Sequence, residues 1–65
     1  MTQAQHIYVV DDEASARELV GDYLTLHGFT VTLCDGGAQL RKELVRRIPD
    51  LIVLDLNMQI GRAHV

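Results

Sequence analysis

Three aspartates are the residues of this 65-residue chain best suited to chemistry. Asp11 and Asp12 directly follow the apolar run Ile7–Val10, and Asp55 directly follows a second apolar run, Leu51–Leu54. Carboxylate oxygens are the ligands that Mg²⁺ prefers, and an aspartate can also act as a covalent nucleophile in aspartyl-phosphate chemistry. If the two runs are neighbouring strands, the three acids predict a pocket that binds a divalent metal and accepts a phosphoryl group on Asp55.

The acidic cluster needs a positive partner, because carboxylates in one pocket repel one another and a buried ionised acid is costly when unpaired. No Lys or Arg lies beside these acids in the sequence, so we expect a metal ion to supply the charge. The alternative for Asp11, Asp12 and Glu13 is a solvated group that caps a helix, with Asp12, Glu13 or Ser15 as the cap. The alternative for Asp55 is a strand-end turn residue. Both groups fall at predicted strand ends, which favours the metal site.

The apolar runs alternate with two helical patterns. Ile7–Val10 and Leu51–Leu54 are continuously apolar, as in strands buried on both faces, whereas 29–33 alternates apolar and hydroxyl residues, as on an outer strand. Helices are predicted over 14–27 and 38–47. The order strand, helix, strand, helix, strand predicts an α/β fold, a truncated flavodoxin-like doubly wound parallel sheet. Strand order 2-1-3 would bring the ends of the first and third strands together, where sites form in such sheets.

Each predicted helix has an apolar stripe at spacings of three and four residues. On the first helix the stripe consists of Ala16, Leu19, Val20, Tyr23, Leu24 and His27. On the second helix it consists of Leu40, Leu44 and Ile48. Gly28 is expected to end the first helix in a left-handed conformation, and Gly21 inside this helix weakens the prediction slightly. We expect Tyr23 to belong to the core.

Composition narrows the class of protein. The chain is 48% hydrophobic with a net charge of −3, too apolar for a disordered tail and without a dense basic patch for nucleic acid. The single cysteine, Cys34, excludes an internal disulfide and is expected to have no redox role. His6 and His27 are expected to be a strand-start and a helix-end residue rather than ligands. The apolar runs are too short to span a membrane, so we expect a cytoplasmic protein without a membrane partner.

Two segments carry a family resemblance. Val9–Glu13 and Leu54–Met58 resemble the two acidic motifs of response-regulator receiver domains, in the chemotaxis-regulator-like superfamily. The resemblance spans 6–58, which corresponds to the N-terminal half of such a domain. It implies a two-component phosphorelay in which Asp55 is the phosphoacceptor and a histidine of a sensor kinase is the donor. The intact domain would catalyse its own phosphorylation and would not be an enzyme in the usual sense.

The same resemblance implies a ligand set for Mg²⁺. Asp12 and Asp55 would bind the ion directly, and Asp11 would act mainly through water. Asn57 would contribute its backbone carbonyl.

Three functional alternatives stay open. The stretch Asp22–Phe29 and the motif around Asp55 resemble transcription regulators of the OmpR type, which would contact DNA only through an output domain absent from this chain. A stand-alone receiver module without such an output is the second possibility. The third is an aspartyl-phosphate hydrolase of the haloacid dehalogenase type. That enzyme needs a second acid two residues after its nucleophile, where this chain has Asn57.

The final residues depart from the family pattern. A receiver domain has five strands and carries a Ser or Thr, a Lys and a dimer surface in its second half, whereas only three strands are predicted here. Gln59 stands where the family has Pro. Ile60–Val65 is what ATC GGA AGA GCA CAC GTC encodes, a run of a widely used sequencing adapter. We therefore expect 59–65 to be a non-native tail that arose from read-through, and genuine sequence to end at Met58.

Overall fold

The computed structural model describes residues 4–55 and contains every predicted element in the predicted order. The elements are β1 (His6–Val10), α1 (Ala14–Leu26), β2 (Thr30–Cys34), α2 (Gly37–Arg46) and β3 (Leu51–Leu54). The α/β class predicted from the alternating patterns is confirmed. Asn57 and the predicted tail 59–65 lie outside the described residues.

β1 is the centre of a three-stranded parallel sheet. It pairs with β2 on one side and β3 on the other, which gives the order β2-β1-β3 and confirms the predicted order 2-1-3. Every residue of β1 is buried, as its continuous apolar run predicts for a central parallel strand. Val10 is in register with Cys34 and with Leu54. The residues that follow these three therefore leave the sheet at the same edge.

The two helices cover opposite faces of the sheet, as in a doubly wound fold. The Tyr8 hydroxyl donates to two carbonyl groups at the end of α2, those of Glu43 (3.0 Å) and Arg47 (2.5 Å). Leu33 follows the β2 residue that pairs with Tyr8, so its side chain points to the other face, where it lies close to Gly21 of α1. The described part of the chain is thus a helix–sheet–helix sandwich around β1.

The buried face of α1 differs from the predicted stripe. Tyr23 is 60% exposed, so placing it in the core was wrong, and Leu19 of the predicted apolar stripe is 72% exposed. The one fully buried residue of α1 is Gly21, where an added Cβ would lie 2.8 Å from Cδ2 of Leu33. Because glycine has no side chain, α1 approaches β2 along this line, and Leu19 and Tyr23 turn away from the sheet.

The structure at the end of α1 explains why this helix ends one residue earlier, and β2 begins one residue later, than predicted. The helix ends at Leu26 rather than at His27, which is the C-cap. Gly28 has φ +92°, the left-handed conformation predicted for it. The Phe29 amide donates to the carbonyl of Leu24 (3.1 Å), as in a Schellman motif. That bond withdraws Phe29 from the sheet, so β2 begins one residue later than predicted.

Helix α2 is also displaced, by one residue at each end relative to the predicted range 38–47. Arg47 has extended backbone dihedrals (φ −164°, ψ 135°), so the helix ends at Arg46. Ile48, predicted on the apolar stripe, lies beyond the helix and is 79% exposed. Leu40 of the same stripe does pack against the buried pair Val10 and Cys34.

Tyr8→Phe tests the contact between the sheet and α2. The Tyr8 side chain is buried, and its hydroxyl contacts the carbonyl of Arg47, the C-cap of α2, and that of Glu43, which also accepts from the Arg47 amide (2.9 Å). We expect its removal to lower the free energy of unfolding by about 1–2 kcal/mol. The measurement is urea denaturation of a full-length protein that carries this segment. Tyr23→Phe is the control, because Tyr23 is 60% exposed, and an equal loss in both variants would contradict the assignment.

None of the helices within residues 4–55 is both long enough and apolar enough to cross a membrane.

Candidate metal site

The carboxyl ends of β1 and β3 bring three of the predicted site residues together. One carboxylate oxygen each from Asp11, Asp12 and Asp55 lies within 4.8 Å of the others. The sheet fixes two of these residues through their backbones, since the Asp55 amide donates to the carbonyl of Val10 and the Asp11 amide to that of Cys34, both at 3.1 Å. The fourth predicted ligand, Asn57, lies outside the described residues, so its role stays a prediction.

The three carboxylates differ in exposure. Asp11 is buried (8% exposed), Asp55 is half-buried and Asp12 is exposed. Oδ1 of Asp11 accepts a hydrogen bond from the amide of Glu13 (3.0 Å), so this side chain also holds the turn between β1 and α1. The exposed position of Asp12 leaves room for water molecules on an ion. The division between a water-mediated Asp11 and a directly bound Asp12 stays a prediction.

Capping of α1 explains the position of only one of the three acids Asp11, Asp12 and Glu13. Glu13 is the N-cap of α1, and its Oε1 accepts from the amide of Ala16 (3.1 Å). The capping alternative considered for Asp11, Asp12 and Glu13 therefore holds for Glu13. It does not account for the approach of Asp55, which comes from a different strand.

Arg17 is the residue that sequence reasoning missed. Its Nη1 donates to the backbone carbonyl of Asp11 at 2.8 Å, which places a guanidinium beside the acidic residues. Because this bond is made to a backbone carbonyl, Mg²⁺ stays the expected partner of the carboxylates themselves. The available signal was helical spacing: Arg17 follows the cap residue Glu13 by four positions, so both lie on the same side of α1.

The donor set fits Mg²⁺. A hard cation takes oxygen ligands in octahedral geometry at about 2.1 Å, which separates neighbouring ligand oxygens by about 3 Å and opposite ones by about 4.2 Å. The aspartate oxygens lie within 4.8 Å of one another, so small side-chain movements would bring them to these distances. Asp11, Asp12 and Asp55 are the described residues that could hold the ion.

Cys34 lies beneath the site at the end of β2. It is fully buried, and this burial raises the pKa of its thiol above the ordinary value of 9.0. Glu43 and Asp35 raise the pKa further, and Arg17 opposes them. A thiol with a raised pKa stabilises the fold below pH 9.0, and this contribution is lost as the pH rises through the raised value. Below that range Cys34 is a neutral core residue.

Alkylation of Cys34 should therefore report folding. At about pH 8 we expect iodoacetamide to react with native protein at least about tenfold more slowly than with protein in urea, since the thiolate is the reactive form and the native thiol is buried and protonated. Mass spectrometry of timed samples measures both rates. Equal rates, in a protein shown by circular dichroism to be folded, would contradict the burial of Cys34.

Neither described histidine belongs to the aspartate cluster. His6 opens β1, where its amide donates to Oδ2 of Asp50 (2.7 Å) and its Nε2 lies 2.6 Å from Oγ1 of Thr32. His27 caps the end of α1, with its ring 4.5 Å from that of Tyr23. Both occupy the structural positions expected from the sequence.

Comparison with known proteins identifies the family of the chain. The family model of the response regulator receiver domain matches residues 7–61. The regulatory protein VirG of Agrobacterium fabrum (strain C58 / ATCC 33970) is 37% identical over 54 residues, which cover 83% of this chain and 21% of VirG. The TorCAD operon transcriptional regulatory protein TorR of Escherichia coli (strain K12) is 38% identical over 53 residues, covering 82% of this chain and 23% of TorR. No solved structure gives a significant match.

The chain thus spans about a fifth of the length of these curated relatives. The family match covers most of the chain, including both acidic motifs, β2, β3 and all of β1 except His6. On this evidence the chain belongs to the response regulator receiver domain family.

Proposed function

We propose that this segment serves two-component signal transduction by accepting a phosphoryl group on Asp55 from a histidine of a sensor kinase. The observation that carries the proposal is the convergence of Asp11, Asp12 and Asp55 at the ends of two parallel strands, in a chain of the receiver family. Mg²⁺ would be held by these three residues together with the backbone carbonyl of Asn57.

The arrangement of the aspartates suits phosphoryl transfer. A carboxylate oxygen of Asp55 forms the new bond to phosphorus as the bond from phosphorus to the donor nitrogen breaks, and the electron pair of that bond leaves with the imidazole. The bound metal would supply positive charge to the oxygens of the transferring group. Asp55 is half-buried at a strand end, and the bond from its amide to the carbonyl of Val10 fixes its main chain. Asp11 and Asp12 would hold the ion beside it.

The larger protein and its partners follow from the relatives. VirG and TorR are named as a regulatory and a transcriptional regulatory protein, and this chain matches about a fifth of each. We infer a cytoplasmic OmpR-type transcription regulator that contacts a sensor histidine kinase and reaches DNA through an output domain outside this segment. A stand-alone receiver module is the alternative. The sequence of the parent gene decides between them, since a winged-helix region after the receiver domain supports the first.

The role of phosphoacceptor, as opposed to that of a hydrolase, can be tested with acetyl phosphate. We expect the full-length regulator to incorporate up to one phosphoryl group per chain, to require Mg²⁺ and to lose labelling in EDTA. Free phosphate should appear no faster than the label decays. Rapid, sustained release of phosphate over many turnovers would instead support the hydrolase, and absence of any Mg²⁺-dependent labelling would contradict the proposal.

We also propose that 6–58 is the native receiver segment and that 59–65 is a non-native tail. The support is the codon run for Ile60–Val65 and the Gln at position 59. The family match itself extends to residue 61, three positions beyond the proposed junction. Genomic DNA of the parent gene is the test: a reading frame that continues through Ile60–Val65 would contradict the proposal.

A further inference from the structure

We propose that Arg17 is a positioning residue for the Mg²⁺ site, holding the peptide that joins Asp11 to Asp12 so that Asp12 is presented to the ion. This inference rests on the proposed function of the aspartate pocket. It concerns a residue outside the group of aspartates that would hold the ion.

The contact is made at the peptide between the two proposed ligands. The carbonyl of Asp11 belongs to the same peptide plane as the amide of Asp12, and Nη1 of Arg17 donates to that carbonyl at 2.8 Å. The preceding peptide is already fixed by the sheet, through the bond from the Asp11 amide to the carbonyl of Cys34 (3.1 Å). Arg17 therefore holds the first peptide beyond the sheet. The exposed side chain of Asp12 is attached to that peptide.

A closed set of three hydrogen bonds makes this contact rigid. The Glu13 amide donates to Oδ1 of Asp11 (3.0 Å), and the Arg17 amide donates to the carbonyl of Glu13 (3.0 Å). The guanidinium of Arg17 then returns to the carbonyl of Asp11. Arg17 is half-buried at the start of α1. Both ends of the turn that carries Asp12 are therefore hydrogen-bonded to residues at the start of α1.

The charge of Arg17 and its positioning hydrogen bond should change the affinity for Mg²⁺ in opposite directions. A guanidinium near the pocket repels a divalent cation, so its removal by charge alone should tighten Mg²⁺ binding. Loss of the positioning hydrogen bond should weaken binding, because partners outside the first coordination shell orient the ligands, and removing them typically costs about tenfold or more in metal affinity. The sign of the change in Kd therefore distinguishes the two roles.

The test uses Arg17→Met in the full-length regulator, because methionine keeps an apolar stem and removes the donors. We expect the Kd for Mg²⁺, measured by titration calorimetry, to rise about tenfold. Saturating Mg²⁺ should restore the acetyl phosphate labelling rate to within about twofold of wild type, as expected for a residue that acts through ligand placement. Arg41→Ala is the matched control: it removes one positive charge from the exposed side of α2 and should leave the Kd unchanged.

Arg17→Lys adds a variant that keeps the charge. The ammonium can donate to the same carbonyl but from a different position, so we expect a Kd about two- to threefold weaker than wild type. If Arg17→Met does not fold, Arg17→Lys alone tests the proposal. A Kd for Mg²⁺ in Arg17→Lys equal to that of wild type would then overturn it. Tighter binding in Arg17→Met, or an unchanged Kd with a lowered melting temperature, would also overturn it. If wild type neither binds Mg²⁺ nor accepts label, the proposed function itself fails.

Discussion

Replacing Asp55 by Asn is expected to reduce Mg²⁺-dependent labelling by acetyl phosphate to background in the full-length regulator. Asparagine is nearly isosteric, so the end of β3 and its amide bond to the carbonyl of Val10 should persist. The amide lacks the anionic oxygen that would form the acyl phosphate. Radiolabelled acetyl phosphate followed by gel electrophoresis measures the incorporation. This complete loss is the largest effect that the account predicts.

Asp35→Asn provides the matched control for that experiment. Asp35 follows β2 at the same edge of the sheet as Asp55 follows β3, yet it is exposed and is not part of the aspartate cluster. Its replacement should leave labelling near the wild-type level. Label retained in Asp55→Asn, or lost equally in both variants, would mean that the phosphoacceptor is another residue or that the site depends on the general charge of this edge.

Expressed alone, the 65-residue chain is expected to aggregate or to adopt a molten state. Within residues 4–55, the buried apolar core consists of four residues of β1 and Cys34. Seven large apolar side chains are between 49% and 87% exposed: Leu19, Tyr23, Leu26, Val45, Ile48, Leu51 and Leu54. A chain of this size buries too little surface for a robust core, and an exposed apolar edge strand such as β3 promotes association.

Thermal denaturation and amide spectra test this expectation. We expect no cooperative transition and poorly dispersed amide signals, together with weak Mg²⁺ binding and no stable acetyl phosphate label. A longer chain that spans a complete receiver domain is the control and should melt cooperatively. A sharp transition with well dispersed signals in the 65-residue chain would contradict the prediction.

The central sheet and the convergence of the acids could be predicted because their signals are local and unambiguous. Continuous apolar runs at Ile7–Val10 and Leu51–Leu54 leave little choice but parallel strands. β1 is buried throughout, as predicted. β3 is an edge strand of the described sheet with Leu51, Ile52 and Leu54 exposed, so the prediction that it is buried on both faces was wrong. If these strands are parallel neighbours, the acids that directly follow them must lie at the same edge of the sheet. Gly28 was equally informative, because a left-handed helix end strongly favours glycine.

The side of α1 that packs against the sheet could not be predicted from the periodicity of its apolar residues. Leu19 and Tyr23 suggest a buried face, but the contact with β2 is centred on Gly21, and a residue without a side chain gives no signal in a hydrophobicity pattern. The contact of Arg17 was hidden for a different reason. It joins a side chain to a backbone carbonyl, and such bonds leave no trace in the type of the accepting residue.

The position of the phosphoryl group is the most direct measurement of the central claim. The full-length regulator would be labelled with acetyl phosphate and Mg²⁺, reduced with borohydride to convert an aspartyl phosphate into homoserine, and mapped by peptide mass spectrometry. The account predicts homoserine at position 55, dependent on Mg²⁺. Homoserine at position 11 or 12, or a phosphorylated residue elsewhere with Asp55 unmodified, would contradict it.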